Sequence, residues 1–211
     1  MNFTFIIWGS AVLLSFILLI IFGCFLFRLA TKKKYSILSF FPFEIFQYKN
    51  GNLNIILQIL CIIFCATYGI FNINVFTTYF GTFFKIEIVF ISFITILTIC
   101  IFYLRIGSDK VHIIASTFFL VFSAMNSFYL SYILFITNYI LVYKALNYII
   151  FGIAIIKLGL ILNPKMKTCF KLYKDEDGDL YRPKVFYLAF SEWAILILHI
   201  VEVILIATGL K

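Results

Sequence analysis

The stretch Tyr187–Leu210, YLAFSEWAILILHIVEVILIATGL, decides the fold. It is long enough to cross a hydrocarbon core of roughly 30 Å, which takes about 20 residues as a helix. Yet it carries Glu192, His199 and Glu202. At about 100° per residue, Glu192 and His199 lie about 20° apart and Glu202 about 60° further round, so the three form one polar stripe. An ionisable group near the bilayer centre costs roughly 2.5–3.5 kcal/mol and therefore faces protein or water, not lipid. The stripe predicts a helix packed inside a bundle, with partners opposite it.

Composition extends this to the whole chain. Hydrophobic residues are 64% of the 211 and charged residues 12%, with a mean hydropathy of +1.11. Such values belong to membrane proteins. Apolar runs predict six spans: Thr4–Ala30, Leu53–Phe71, Ile86–Ile106, Val111–Ile133, Tyr139–Leu162 and Tyr187–Leu210. The run from Val111 to Leu162 is too long for one helix and too short for three, which puts a turn at Thr137-Asn138. None of the runs alternates as the strands of a transmembrane barrel do. The fold class expected is all-α: a polytopic transmembrane helical bundle of about six spans, forming a single domain over residues 1–211. The first run reads as a retained anchor, because it lacks a basic leader and has Arg28, Lys32, Lys33 and Lys34 on its C-terminal side.

Charge predicts orientation. The net charge is +8. Arg28, Lys32, Lys33, Lys34, Lys49, Arg105, Lys110, Lys165, Lys167, Lys171, Lys174, Arg182 and Lys184 fall on one side, against Lys85, Lys144 and Lys211 on the other. The bias of basic loops toward the cytoplasm then puts both termini outside or in the lumen. The partners expected are the lipid bilayer, including anionic lipids at the basic loops, and protein partners in a membrane complex. No nucleic acid is expected.

Five cysteines show no metal spacing. Cys61 and Cys65 share a helix face without a second ligand pair, and an odd count argues against a disulfide framework. The loop Lys174–Asp179 matches only the start of a calcium loop: Leu180 stands where a glycine is needed and Phe186 where a glutamate is needed. Enzyme signatures for phosphate, dinucleotide, zinc or serine chemistry are absent. Asp109 and His112 are three apart at the start of the fourth span, and an aspartate there also suits the helix dipole. The expectation is no catalytic residue, no cofactor and no metal. The candidate site is an intramembrane polar cluster of Glu192, His199, Glu202 and His112, with Lys157 and His112 as possible partners of the stripe. Ser123, Ser127 and Ser131 form a strip on the fourth span suited to face the sixth. With 28 Phe and 13 Tyr, packing is expected to be aromatic.

Three local patterns resemble the six-helix family of the damage-regulated autophagy modulators (DRAM-type proteins), which also includes a GPI-anchor remodelling protein. Phe41-Pro42-Phe43 sits after the first span, His112-Ile-Ile-Ala-Ser-Thr-Phe-Phe119 opens the fourth, and Ser191-Glu192-Trp193 opens the sixth. Helix count and order are similar over almost the whole chain. The resemblance implies a non-enzymatic endomembrane or plasma-membrane protein in autophagy regulation or membrane-lipid organisation, with Pro42, Phe43, His112, Glu192 and Trp193 as its motif positions. The chain departs from the family after Phe43, where Glu44–Gly51 replaces an Ile-Ser and Thr-Gly pattern. The family's first loop also faces the lumen or exterior, whereas the lysines here put it in the cytoplasm. Two readings of other classes stand beside this one. One is a small transporter or channel using the stripe as its ion path. The other is a structural subunit of a larger membrane complex, organelle-encoded or otherwise, which would place it in a membrane such as the mitochondrial inner one.

Overall fold

The computed structural model describes residues 3–47, 51–79, 84–103, 109–137, 144–166 and 185–209. Its helices are α1 (Phe3–Thr31), α2 (Gly51–Tyr79), α3 (Phe84–Tyr103), α4 (Asp109–Ile136), α5 (Ala145–Ile161) and α6 (Tyr187–Gly209). A short 3₁₀ turn, Pro42–Gln47, lies between α1 and α2. In hydrocarbon every backbone polar group must be satisfied internally, and helices do this within one segment. The chain is accordingly an all-α bundle and an integral membrane protein: α1, α2, α3, α4 and α6 are long and apolar enough to cross a membrane.

Consecutive helices pack side by side, and α6 closes the ring by returning to α1 while also touching α4. This explains why α6 carries polar residues. Leu14, Ile21 and Phe25 of α1 point outward, as do Ile155 and Ile156 of α5, whereas Glu192, His199 and Glu202 are buried. Approach between α1 and α6 is close at Gly9, where a Cβ would lie 2.8 Å from that of Ala207. Elsewhere the packing is aromatic, with tilted or edge-on pairs such as Phe16–Phe64 and Phe5–Tyr79 at 5.2 and 5.4 Å between centroids.

The structure differs from the sequence reading at the end of the second span. The second span runs beyond Phe71 to Tyr79, because its polar residues turn back onto their own helix. Asn72 Nδ2 donates to the Tyr68 carbonyl at 2.8 Å, and Thr77 Oγ1 to that of Ile73 at 2.8 Å. The fifth helix as described is Ala145–Ile161, and the start expected for that span, at Tyr139, lies outside the described residues. It ends where the expectation put it, since Asn163 precedes Pro164 and is biased away from helix. Residues 139–143 lie outside the described ones, as do Asn138, Cys169 and the loop Lys174–Asp179.

The segment after α1 folds into the bundle. α1 stops at Thr31, and Lys32 takes the left-handed conformation with φ 56°. Phe41, Phe43, Glu44, Ile45 and Phe46 are all buried. Pro42 opens the 3₁₀ turn, where its fixed φ fits and its missing N–H is not needed. Glu44 Oε2 reaches back to accept the Phe41 N–H at 2.7 Å, one half of a capping box. Gly23 of α1 leaves the space that Ile45 fills: a Cβ there would lie 2.9 Å from Ile45 Cδ1 and 3.1 Å from its Cβ. Gly23→Val is expected to lower stability by about 1–3 kcal/mol through overpacking. Thermal unfolding in mild detergent measures this, and adding Ile45→Ala should recover part of the Gly23→Val loss.

Candidate functional site

The polar residues gather in two nodes at different depths. The first joins the inserted segment to α4 and α6. His112 Nε2 lies 3.3 Å from Glu192 Oε1, and Ser116 Oγ donates to the same oxygen at 2.5 Å. These contacts form because His112 and Ser116 are i, i+4 on α4 and present one face to Glu192. The rings of Phe41 and Phe43 stand edge-on to the His112 imidazole, with centroids 5.1 and 4.8 Å away.

One residue on, Trp193 fixes the same segment. Its Nε1–H donates to Tyr35 Oη and to the Phe40 carbonyl, each at 3.0 Å. Tyr35 O–H in turn donates to the Phe41 carbonyl at 2.8 Å. Burial, then the nearby Glu44 carboxylate, pushes the Tyr35 phenol well above its ordinary range, so it stays a neutral donor. An N–H and an O–H on large aromatic bodies thus bond the Phe40 and Phe41 carbonyls, the second of which also accepts the Glu44 N–H of the 3₁₀ turn at 3.0 Å.

The second node lies deeper in α6. Glu202 is ten residues beyond Glu192, about 15 Å along the helix axis. Lys157 of α5, fully buried, places Nζ 2.7 Å from Glu202 Oε2 and donates to Ser127 Oγ at 2.7 Å. Ser127 of α4 donates to Glu202 Oε1 at 2.5 Å. His199 Nδ1 lies 3.1 Å from Glu202 Oε2, and Tyr68 Oη of α2 is 3.3 Å from the same nitrogen. Four helices therefore meet at this node: α4, α5 and α6 at the Glu202 carboxylate, and α2 through Tyr68 at His199. Both of its oxygens are engaged and its charge is matched by the lysine, which is the condition for holding an ion inside a protein.

The candidate cluster read from the sequence is divided by this geometry. Glu192 pairs with His112, whereas His199 pairs with Glu202; the four do not meet in one site. The helical angle between stripe residues gives their common face, but each depth has its own neighbours. Both candidate partners are used, Lys157 at Glu202 and His112 at Glu192. Of the serine strip, Ser127 reaches Glu202, whereas Ser131 turns to Asn147 Oδ1 of α5 at 2.8 Å. The motif positions Phe43, His112, Glu192 and Trp193 lie together in the first node, beside Pro42.

Ser116, Tyr35 and Tyr68 were not singled out as site residues from the sequence. Ser116 was legible as the i+4 neighbour of His112, but the two tyrosines carry no local signal. His112 turns its imidazole inward to Glu192 of α6, and the Asp109 side chain lies outside the described residues. Among the described residues no three metal-ligating side chains come together. What the two nodes do chemically is hold charge and hydrogen bonds between helices. Comparison with family models, with curated proteins and with solved structures returned no match.

Proposed function

We propose that this chain is a non-enzymatic membrane protein of the DRAM type, acting in membrane-lipid organisation or autophagy regulation at an endomembrane or the plasma membrane. One observation carries the reading. Three short patterns, far apart in sequence and weak singly, meet in a single buried node: Phe43 packs on His112, His112 faces Glu192, and Trp193 holds the Phe40 carbonyl. Residues that only set hydrophobicity have no reason to converge in this way.

Orientation tests it. In a background lacking the native cysteines, Lys33→Cys or Lys34→Cys offers an exposed thiol beside the inserted segment. A DRAM-type protein is labelled there by an impermeant thiol reagent from the exterior or lumen. Labelling from the cytoplasm alone, as the lysine bias predicts, removes the family reading.

The second node favours an alternative, a small transporter that moves protons or cations along α6. Its support is the buried Lys157–Glu202–His199 constellation, since ionisable groups at membrane depth mark ion pathways. On this reading, pH-dependent flux in proteoliposomes is lost in His199→Ala and in Glu202→Gln. Flux no greater than in protein-free vesicles dismisses it.

A further inference from the structure

Between the end of α4 and the start of α5 lies a groove of about 460 Å³. Its deeper part is apolar: the rings of Phe128 and Phe151 meet edge-on there, 5.8 Å between centroids. Tyr132 and Tyr148 flank it, and both are mostly exposed. Two buried polar side chains also line it, Ser131 of α4 and Asn147 of α5, which are 5% and 7% exposed.

These two bond to each other, and one donor is left over. Ser131 O–H donates to Asn147 Oδ1 at 2.8 Å, with the Asn147 carbonyl a distant second acceptor at 3.5 Å. The amide oxygen is thus committed to α4, while Nδ2 has no acceptor among the described residues. An amide carries two N–H donors. At the edge of hydrocarbon, leaving them without an acceptor is costly, and a ligand that brings one removes the cost.

The order of groups along α5 identifies the ligand. Lys144 stands just before the first residue of the helix and is exposed. No side chain caps that helix start, and open N–H groups there favour an anion. Asn147 follows about 4.5 Å along the axis, and Phe151 about 6 Å beyond it. Cation, amide donor and aromatic surface therefore succeed one another from the membrane face inward. A glycerophospholipid carries phosphate, ester carbonyl and acyl chain in the same order and at the same depths. Tyrosines such as Tyr132 and Tyr148 also belong at that interface. A second copy of this chain is a poorer fit, because the outward faces of the helices are built chiefly from Ile, Leu and Phe and give Nδ2 no acceptor.

We propose that the α4–α5 groove binds a glycerophospholipid at the membrane face opposite the start of α4. Asn147 Nδ2 donates to an ester carbonyl, Lys144 pairs with the phosphate, and the acyl chain lies along Phe128 and Phe151. The groove is separate from both polar nodes and from the inserted segment, so the site is independent of the DRAM-type reading and of the orientation that tests it.

Photolabelling of the full chain tests it, in vesicles of diether phosphatidylcholine, a background lipid without ester carbonyls. The probe is diester phosphatidylglycerol with a diazirine on one acyl chain. Adducts are expected on α4 and α5 at the groove, above the level on the other outward faces. Unlabelled diester phosphatidylglycerol should compete about threefold or more better than its diether analogue, the difference one hydrogen bond makes. Asn147→Leu should abolish that preference. If Asn147→Leu does not fold, Lys144→Glu serves instead: an exposed substitution leaves the packing intact and should cut labelling about fivefold. Adducts spread evenly over the bundle overturn the proposal. So does a groove without adducts, the result expected with a second copy of the chain seated there. Equal competition by the two lipids in the wild type also overturns it, since Asn147 would then bond to water.

Discussion

Lys157→Met is expected to destabilise the bundle by about 3–5 kcal/mol, the usual effect of removing one partner of a buried ion pair. Lys157 is fully buried and donates to both Glu202 and Ser127. Methionine fills nearly the same volume, so the loss is electrostatic. Glu202 would keep Ser127 and His199 but no fixed cation. The control is the double substitution Lys157→Met with Glu202→Met, which removes both charges together. Replacing a whole buried pair by apolar groups is often close to neutral, so the double variant should be more stable than Lys157→Met alone. Unfolding in mixed micelles, with the wild type and both variants at one pH, reads the difference. A double variant no better than the single one would mean that Lys157 acts through packing, not charge.

Trp193→Ala should have an effect of similar size, about 3–5 kcal/mol, from the cavity left by the largest fully buried side chain. The affected region differs. Trp193 packs edge-on to Tyr35 and Phe102 at 6.0 and 6.2 Å between centroids, and its N–H holds Tyr35 and Phe40. Its removal should release residues 35–47 first, leaving the Lys157 node intact. Proteolysis or hydrogen exchange in that segment should therefore rise more than in α4 or α5. Trp193→Phe, which keeps most of the volume and loses the N–H, isolates the two hydrogen bonds and should lose about 1–2 kcal/mol. Equal exchange throughout the bundle would contradict a local role.

Much of the fold was legible because the bilayer imposes a simple rule: about 20 apolar residues per helix, with no exposed backbone. The rule misjudged α2, where Asn72 and Thr77 look like loop residues but satisfy themselves on the preceding turn. It also gave no warning of the Pro42–Gln47 turn, whose burial depends on the small Gly23 opposite Ile45. In the site, the stripe on α6 was legible as a shared direction, and Lys157 as a lone cation in an apolar run. The division into two nodes was not, because angle on a helix says nothing of what stands opposite at each depth. Asn147 was passed over for the same reason: it sits near a helix start, where a polar residue looks like a solvated end, and its burial against Ser131 depends on α4.

The central claim is that the segment after α1 folds into the bundle and brings Phe43 against His112. Single cysteines at both positions, in an otherwise cysteine-free chain, test this in intact membranes with a short bifunctional thiol reagent. The account predicts a 43–112 cross-link that still joins the two pieces after cleavage of the chain between α2 and α3. No cross-link, with each cysteine reacting freely with a monofunctional reagent, would show that the segment lies outside the bundle and would contradict the account.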